Sequence, residues 1–161
     1  MVPRVRYQSD LKLVQLYPEA TVGALVVNEN EEILLVGSRK WGSKLTVPGG
    51  HIELGERAED AIKREVSEET GLDIEPVELL LVQQAIYPKN YYKHEHFIFM
   101  DYLCKATGSN VKLDGRELQS HIWVKPVDAL SLDVEEYTRN FILAYTVYQK
   151  QHPNWLSNNE R

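Results

Sequence analysis

The sharpest constraint on this chain is a run of glutamates on the wrong side of a helix. From Gly49 to Leu72 it reads GGHIELGERAEDAIKREVSEETGL. The spacing predicts a helix over roughly Arg57 to Thr70, opened by a Gly/Glu-rich loop and closed by Gly71 in a left-handed turn. Ala58, Ala61, Ile62 and Val66 recur at helical intervals and form a core-facing stripe. At about 100° per residue, Glu65 and Glu69 project into that apolar sector, with Glu68 on its flank. An unpaired buried charge is costly. At i, i+3 and i+4 the three also repel one another, by a few tenths of a kcal/mol per pair, roughly. They stand in the last turns, where the helix dipole favours cations. A hard divalent cation with oxygen ligands offsets all three penalties, and Mg²⁺ is typically held by carboxylates together with substrate phosphates.

A solvated face is the plain alternative for a Glu-rich helix, and the wider pattern decides against it. Gly50, Glu56 and Arg64-Glu65-Val66-Ser67-Glu68-Glu69-Thr70-Gly71-Leu72, at their spacings, resemble the box of the Nudix hydrolases at every specified position. The box covers Gly50 to Leu72, and a looser resemblance runs from about Thr21 to Val124, through strand order and the Val47-Pro48-Gly49-Gly50 lead-in. The resemblance implies an α+β Nudix fold, a mixed β-sheet sandwiched between α-helices with the box as loop-helix-loop. It implies Glu65, Glu68 and Glu69 as metal ligands, joined by the Gly49 carbonyl, with Mg²⁺ as cofactor and Mn²⁺ as its substitute. The implied reaction is hydrolysis of a diphosphate bond in a nucleoside diphosphate linked to another moiety. Arg64 pairs with Glu68 or Glu56 and holds the ligands in place. Glu56, at the helix start, accepts backbone N–H groups there and is mainly structural. Glu53 belongs to the same loop and aids metal or substrate. Family members differ in their general base. Glu65 and Glu117, the latter in a DGRELQ loop where it also reads as an ordinary loop acid, are the candidates here.

Around the box, strands dominate. Thr21–Val27 and Ile33–Val36 read as a hairpin about the Asn28–Glu31 turn. Leu45–Val47 is a brief strand halted by Pro48-Gly49-Gly50. Val77–Tyr87, Glu95–Ala106 and Ser120–Val124 are further strands. A last helix spans about Val134 to Lys150, with Asp133 and Glu136 as its capping pair. Leu11, Leu13, Val14 and Leu16 suit a short strand or arm, and the tail from Gln151 to Arg161 is expected to fray. No repeat or linker interrupts the chain, so one domain over residues 1–161 is expected, with its core at about 20–150.

A net charge of −6 lacks the basic footprint of generic nucleic-acid binding. Cys104, the only cysteine, sits in an apolar run as an inert thiol. The N-terminal MVPRVRYQSD has no apolar leader, and no stretch approaches the roughly 18 apolar residues of a membrane span, so the expected location is cytoplasmic. The expected partner is a small nucleotide. A homodimer through the Leu11–Leu16 arm or the last helix is the further expectation, since two-fold dimers are the commonest oligomers.

For substrate, Trp41, Tyr87, Tyr91 and Tyr92 could stack on a base, and Arg39, Lys40 and Lys44 could meet phosphates. Each also reads as edge-of-core packing or a solvated loop residue. His51 follows Gly50 near the expected phosphate site. Of the H-x-H pair His94 and His96, one points to the cleft and the other to the surface. Pro88 stands near the proline typical of ADP-ribose pyrophosphatases, and Tyr87 and Tyr91 near the tyrosine typical of dinucleoside-polyphosphate hydrolases. Nucleoside triphosphates, nucleotide sugars and dinucleoside polyphosphates therefore all stay open. Two further readings are a non-catalytic nucleotide-sensing Nudix-like module, against which the full set of box carboxylates speaks, and an RNA 5′-end pyrophosphohydrolase, against which the acidic charge speaks.

Overall fold

The computed structural model describes residues 15–158. A seven-stranded mixed sheet is built from β1 (Glu19–Val27), β2 (Ile33–Ser38), β3 (Leu45–Thr46), β4 (Gly49–His51), β5 (Ile74–Ile86), β6 (His96–Ala106) and β7 (Leu118–Val124). The helices are α1 (Ala58–Thr70), the single turn α2 (Pro126–Ala129) and α3 (Glu136–Gln151), with a 3₁₀ turn at Arg39–Trp41. The central pair, β1 with β6, is parallel, and the other pairings are antiparallel.

Period-two alternation sends each strand's apolar residues to both faces. Val22, Ala24, Val26, Leu34, Val36, Tyr102 and Cys104 meet Ala61, Ile62 and Val66 of α1 on one side. Leu25, Val27, Ile33, Leu35 and Leu103 meet Phe141, Ile142 and Tyr145 of α3 on the other. The sheet is thus sandwiched between helices, as expected. The two cores also explain the near-continuous hydrophobic runs TVGALVV and ILLV, because strands covered on both faces need no polar side.

One irregularity positions the site. β1 meets β2 at Val27↔Ile33, but at its other end Thr21, Val22 and Gly23 pair with His51, Gly50 and Gly49. The sheet splays there, and a cleft opens between the α1 and α3 sides.

Several expectations need correction. Gly49 and Gly50 do not simply halt β3; they form β4, because two residues without Cβ can lie close against β1. A Cβ on Gly49 would sit 2.0 Å from the Val22 carbonyl oxygen. Asp133 does not cap α3. Its carboxylate takes Lys44 Nζ at 2.7 Å, while Glu135 accepts the N–H groups of Tyr137 and Thr138 at 2.8 and 3.3 Å. The tail does not fray through Asn158. Trp155 and Leu156 pack on the α3 core, and the Leu156 carbonyl accepts Lys105 Nζ at 2.6 Å. Leu16 is 48% exposed; the rest of the expected arm, Leu11, Leu13 and Val14, lies outside the described residues, as do residues 159–161. No helix among the described residues is long and apolar enough to cross a membrane.

Candidate active site

Helix α1 ends as its sequence predicts. Gly71 adopts φ 71° and donates its N–H to the Ser67 carbonyl. That leaves Glu65 and Glu69 at the open end of the splayed sheet, facing β4. Two glycines make the space. A Cβ on Gly50 would lie 2.3 Å from Glu65 Cδ, so only glycine admits that carboxyl. The Gly49 N–H donates to Glu69 Oε2 at 3.3 Å.

Arg64 gathers the carboxylates around it. Its Nε and one terminal nitrogen form a fork on Glu56, at 2.8 and 3.0 Å. The other terminal nitrogen reaches Glu65 Oε1 at 2.9 Å and Glu68 at 3.5 Å, and the guanidinium also holds the His51 carbonyl at 3.0 Å. Glu53 stands farther off, at 3.9 Å. The hydrogen bonds from Arg64, then the Glu53 N–H, hold the Glu56 carboxyl down at about 2. Glu56 therefore locks the loop before the helix rather than capping α1, whose N-cap residue is Arg57.

The two inward glutamates are pushed the other way. Burial raises Glu65, against the pull of Arg64. Burial lifts Glu69 to about 8, with the charges of Glu65, Glu117 and Asp114 adding to it and the Gly49 N–H opposing. This is a site short of positive charge. Its donors are all oxygens, which suits Mg²⁺ or Mn²⁺.

The expected triad is not drawn together. Glu68, with 61% of its side chain exposed, turns outward onto Arg64, four residues earlier. Among the described residues no three His, Cys, Asp or Glu side chains form a closed metal cage. Glu117 does reach the cleft, at its rim, paired with Lys40 Nζ at 3.2 Å.

The cleft is a cavity of about 190 Å³. Gly49, Gly50, Glu65, Glu69 and Glu117 line one part of it. Trp41, Tyr91, Phe97, Phe99 and Tyr137 line another. Phe97 and Phe99 stack at 5.6 Å between centroids, Tyr91 stands edge-on to Phe97 at 5.0 Å, and Tyr137 is edge-on to Phe99 at 5.4 Å. His51 stands at the opening with its Nε2 against the Glu19 carboxylate.

Of the expected substrate residues, Trp41 and His51 line the cavity, and Arg39, Tyr87 and His96 do not. Arg39 is exposed. Tyr87 follows β5 at φ 49° and stacks on His94 at 3.7 Å, half exposed. His96 lies on the face of β6 opposite Phe97 and Phe99. Sequence reasoning missed Phe97, Phe99 and Asp101. Their signal was present: in HFIFMD every second residue from Phe97 falls on one strand face.

This fold and this carboxylate-lined cleft define a class, and comparison with known proteins agrees. The family model described as the NUDIX domain matches residues 18–145. The chain belongs to the Nudix family. A curated relative, the 8-oxo-dGDP phosphatase NUDT18 of Danio rerio, is 33% identical over 108 residues, which cover 63% of this chain and 31% of that protein. This chain thus spans about a third of that relative's length. The nucleoside triphosphatase NudI of Escherichia coli is 29% identical over 99 residues, covering 58% of this chain and 70% of its own. Among solved structures, a MutT NUDIX hydrolase from Burkholderia pseudomallei superimposes with a TM-score of 0.68 at 26% identity, covering 80% of this chain and 98% of that one.

A methyl group at Gly50 should displace the Glu65 carboxyl without touching the aromatic part of the cleft. Gly50→Ala is expected to lower kcat about 100-fold, a typical effect of a 1 Å misplacement, with KM little changed. Steady-state kinetics on any cleaved substrate checks this, and unchanged kcat would mean that Glu65 position is immaterial.

Proposed function

We propose that this chain is a Mg²⁺-dependent pyrophosphohydrolase of nucleoside di- or triphosphates. The observation that carries the reading is one cavity lined both by crowded inward carboxylates and by an aromatic wall that suits a base. The names of the relatives, an 8-oxo-dGDP phosphatase and a nucleoside triphosphatase, support the same substrate class.

Glu65 and Glu69, with Glu68 after a side-chain rotation and the Gly49 carbonyl, would hold a divalent cation, which supplies neutralisation of phosphate charge and activation of water. Arg64 fixes Glu65 by a charge-assisted hydrogen bond and so sets where the phosphate chain lies. Lys40, beside Glu117 at the same rim, can leave that carboxylate for a phosphate oxygen. Glu117 is then freed to take the proton as water oxygen attacks phosphorus. The P–O bond of the anhydride breaks, and the leaving phosphate departs with its electron pair. We assign the base role to Glu117 over Glu65 because Glu65 is already committed to Arg64. Trp41 and the Phe97–Phe99 wall hold the base by stacking.

A substrate panel in Mg²⁺ and in Mn²⁺, scored by product identity, tests the reading. It contains standard and C8-oxidised nucleoside di- and triphosphates, ADP-ribose, diadenosine polyphosphates and 5′-triphosphate RNA. Monophosphate with orthophosphate or pyrophosphate is the expected product pair. Cleavage confined to ADP-ribose, dinucleotides or RNA would reassign the substrate, and binding without any cleavage would favour a nucleotide sensor.

A further inference from the structure

The cavity holds a second acidic group that the reaction above does not use. Asp101 follows Phe97 and Phe99 on the same face of β6 and lines the same cavity, only 4% exposed. Its neighbours hold one side of it firmly. Gln83 Nε2 donates to Asp101 Oδ2 at 2.8 Å and to the Tyr137 carbonyl at 2.9 Å, and Gln83 Oε1 accepts from Asn140 at 3.0 Å. The amide is thereby fixed with its NH₂ toward Asp101. The other carboxyl oxygen, Oδ1, has no hydrogen-bond partner among the described residues. It lies over Gly23, where a Cβ would come within 2.7 Å of it. The strand is kept bare at the point where this oxygen needs room.

A largely buried carboxyl with an unused acceptor facing a cavity is costly until a donor reaches it. Glu135, 2% exposed, lines the cavity as well, with Oε2 taken by the start of α3. Its charge contributes to the raising of Asp101, after burial, whereas Glu69 is raised by burial and then by Glu65, Glu117 and Asp114. Asp101 and Glu69 thus answer to different acidic neighbours within one cavity. Its volume, about 190 Å³, is below the roughly 300–1,000 Å³ of pockets that take a whole ligand. One ring system fits inside, with the rest of the nucleotide along the carboxylate rim.

Resting on the nucleotide reading, we infer that Asp101 is the base-selecting residue: its free oxygen accepts an N–H from the edge of the bound base, and the cavity takes bases with a guanine-type donor edge. Guanine presents N1–H and the 2-amino group side by side. Hypoxanthine lacks the 2-amino group, and adenine offers only its 6-amino donor beside N1, an acceptor that a carboxylate repels. Stacking on an aromatic wall with hydrogen bonds to the Watson–Crick edge is a general way to read an isolated base. An N–H donor at Oδ1 also favours the ionised form that burial discourages.

Equilibrium binding of GMP, IMP and AMP to the full chain, followed by calorimetry, tests this without turnover. GMP is expected to bind at least tenfold tighter than AMP, with IMP between. Asp101→Asn places an amide NH₂ at the Oδ1 position while its oxygen keeps Gln83, and should cut the GMP:AMP ratio at least tenfold. Gly23→Ala, which crowds Oδ1, should lower the ratio in the same direction and serves if Asp101→Asn fails to fold. Equal binding of the three nucleotides by the wild type, no binding at all, or an unchanged ratio in the folded variants overturns the inference. Loss of the hydrolytic reading looks different: no turnover of any nucleotide, with the GMP preference intact.

Discussion

Glu69→Gln should abolish turnover and stabilise the metal-free protein. Glu69 is 5% exposed, and its carboxyl is lifted to about 8, chiefly by burial and then by Glu65. The unfolded chain releases this proton near 4.5. The folded state therefore holds it more tightly, and the resulting stability is fully present below about 4.5 and is lost as pH rises through 8. Glutamine carries no charge and keeps an oxygen for the Gly49 N–H. The wild type should accordingly lose Tm relative to the variant between pH 4.5 and 8. Adding Mg²⁺ should raise the wild-type Tm, because a ligand of the folded state stabilises by mass action, and should leave the variant nearly unmoved. Metal-ion catalysis supplies several kcal/mol, so kcat should fall by ~10³-fold or more. Thermal melts across pH, with and without Mg²⁺, separate the two effects. A variant that melts lower than wild type at pH 8 without metal would refute the crowded-charge account.

Arg64→Met should weaken both site and fold, with an acid-side signature. The guanidinium is the shared partner of Glu56, Glu65 and Glu68, and the side chain is only 25% exposed. Glu56 is held at about 2 mainly by Arg64. A depressed carboxyl contributes stability that is present above its unfolded value of 4.5 and is lost as pH falls through 2. Methionine keeps the aliphatic packing and removes that contribution, so the variant should melt lower at pH 7 and the Tm difference should shrink toward pH 2. Glu65 loses its anchor, and kcat should drop about 100-fold. Arg64→Lys should recover little, because one ammonium cannot reproduce the planar fork. A melting difference that stays constant down to pH 2 would show that Glu56 gains nothing from Arg64.

What the sequence revealed follows from the range of the interactions. Helix α1, its Gly71 stop and the inward aim of Glu65 and Glu69 depend on neighbours within one or two turns, and all were legible. Glu68 was legible as a partner of Arg64, which it meets at 3.5 Å; its outward turn was not, because a residue on the flank of a stripe can turn either way. The cap of α3 depends on where the helix starts: with Glu136 its first residue, Glu135 and not Asp133 stands at the N-cap, and Asp133 meets Lys44 instead. The roles of Gly23, Gly49 and Gly50 depend on which strand lies against which. The H-x-H spacing of His94 and His96 suggests a site, whereas the cavity wall is formed by the alternate residues Phe97, Phe99 and Asp101.

The parallel pairing at the centre of the sheet has a consequence for how the protein comes into being. β1 and β6 have β2 through β5 and α1 between them in the chain. Closing so long a loop is slow, and its entropy must be met before the contacts it allows can stabilise anything. Until β6 arrives, neither core is complete. β6 also carries Phe97, Phe99 and Asp101, and β1 carries Gly23. The step that closes the sheet therefore builds the floor of the cleft. A nascent chain that stops short of β6 has neither core complete and lacks the floor of the cleft, so the fold and the cleft arise together.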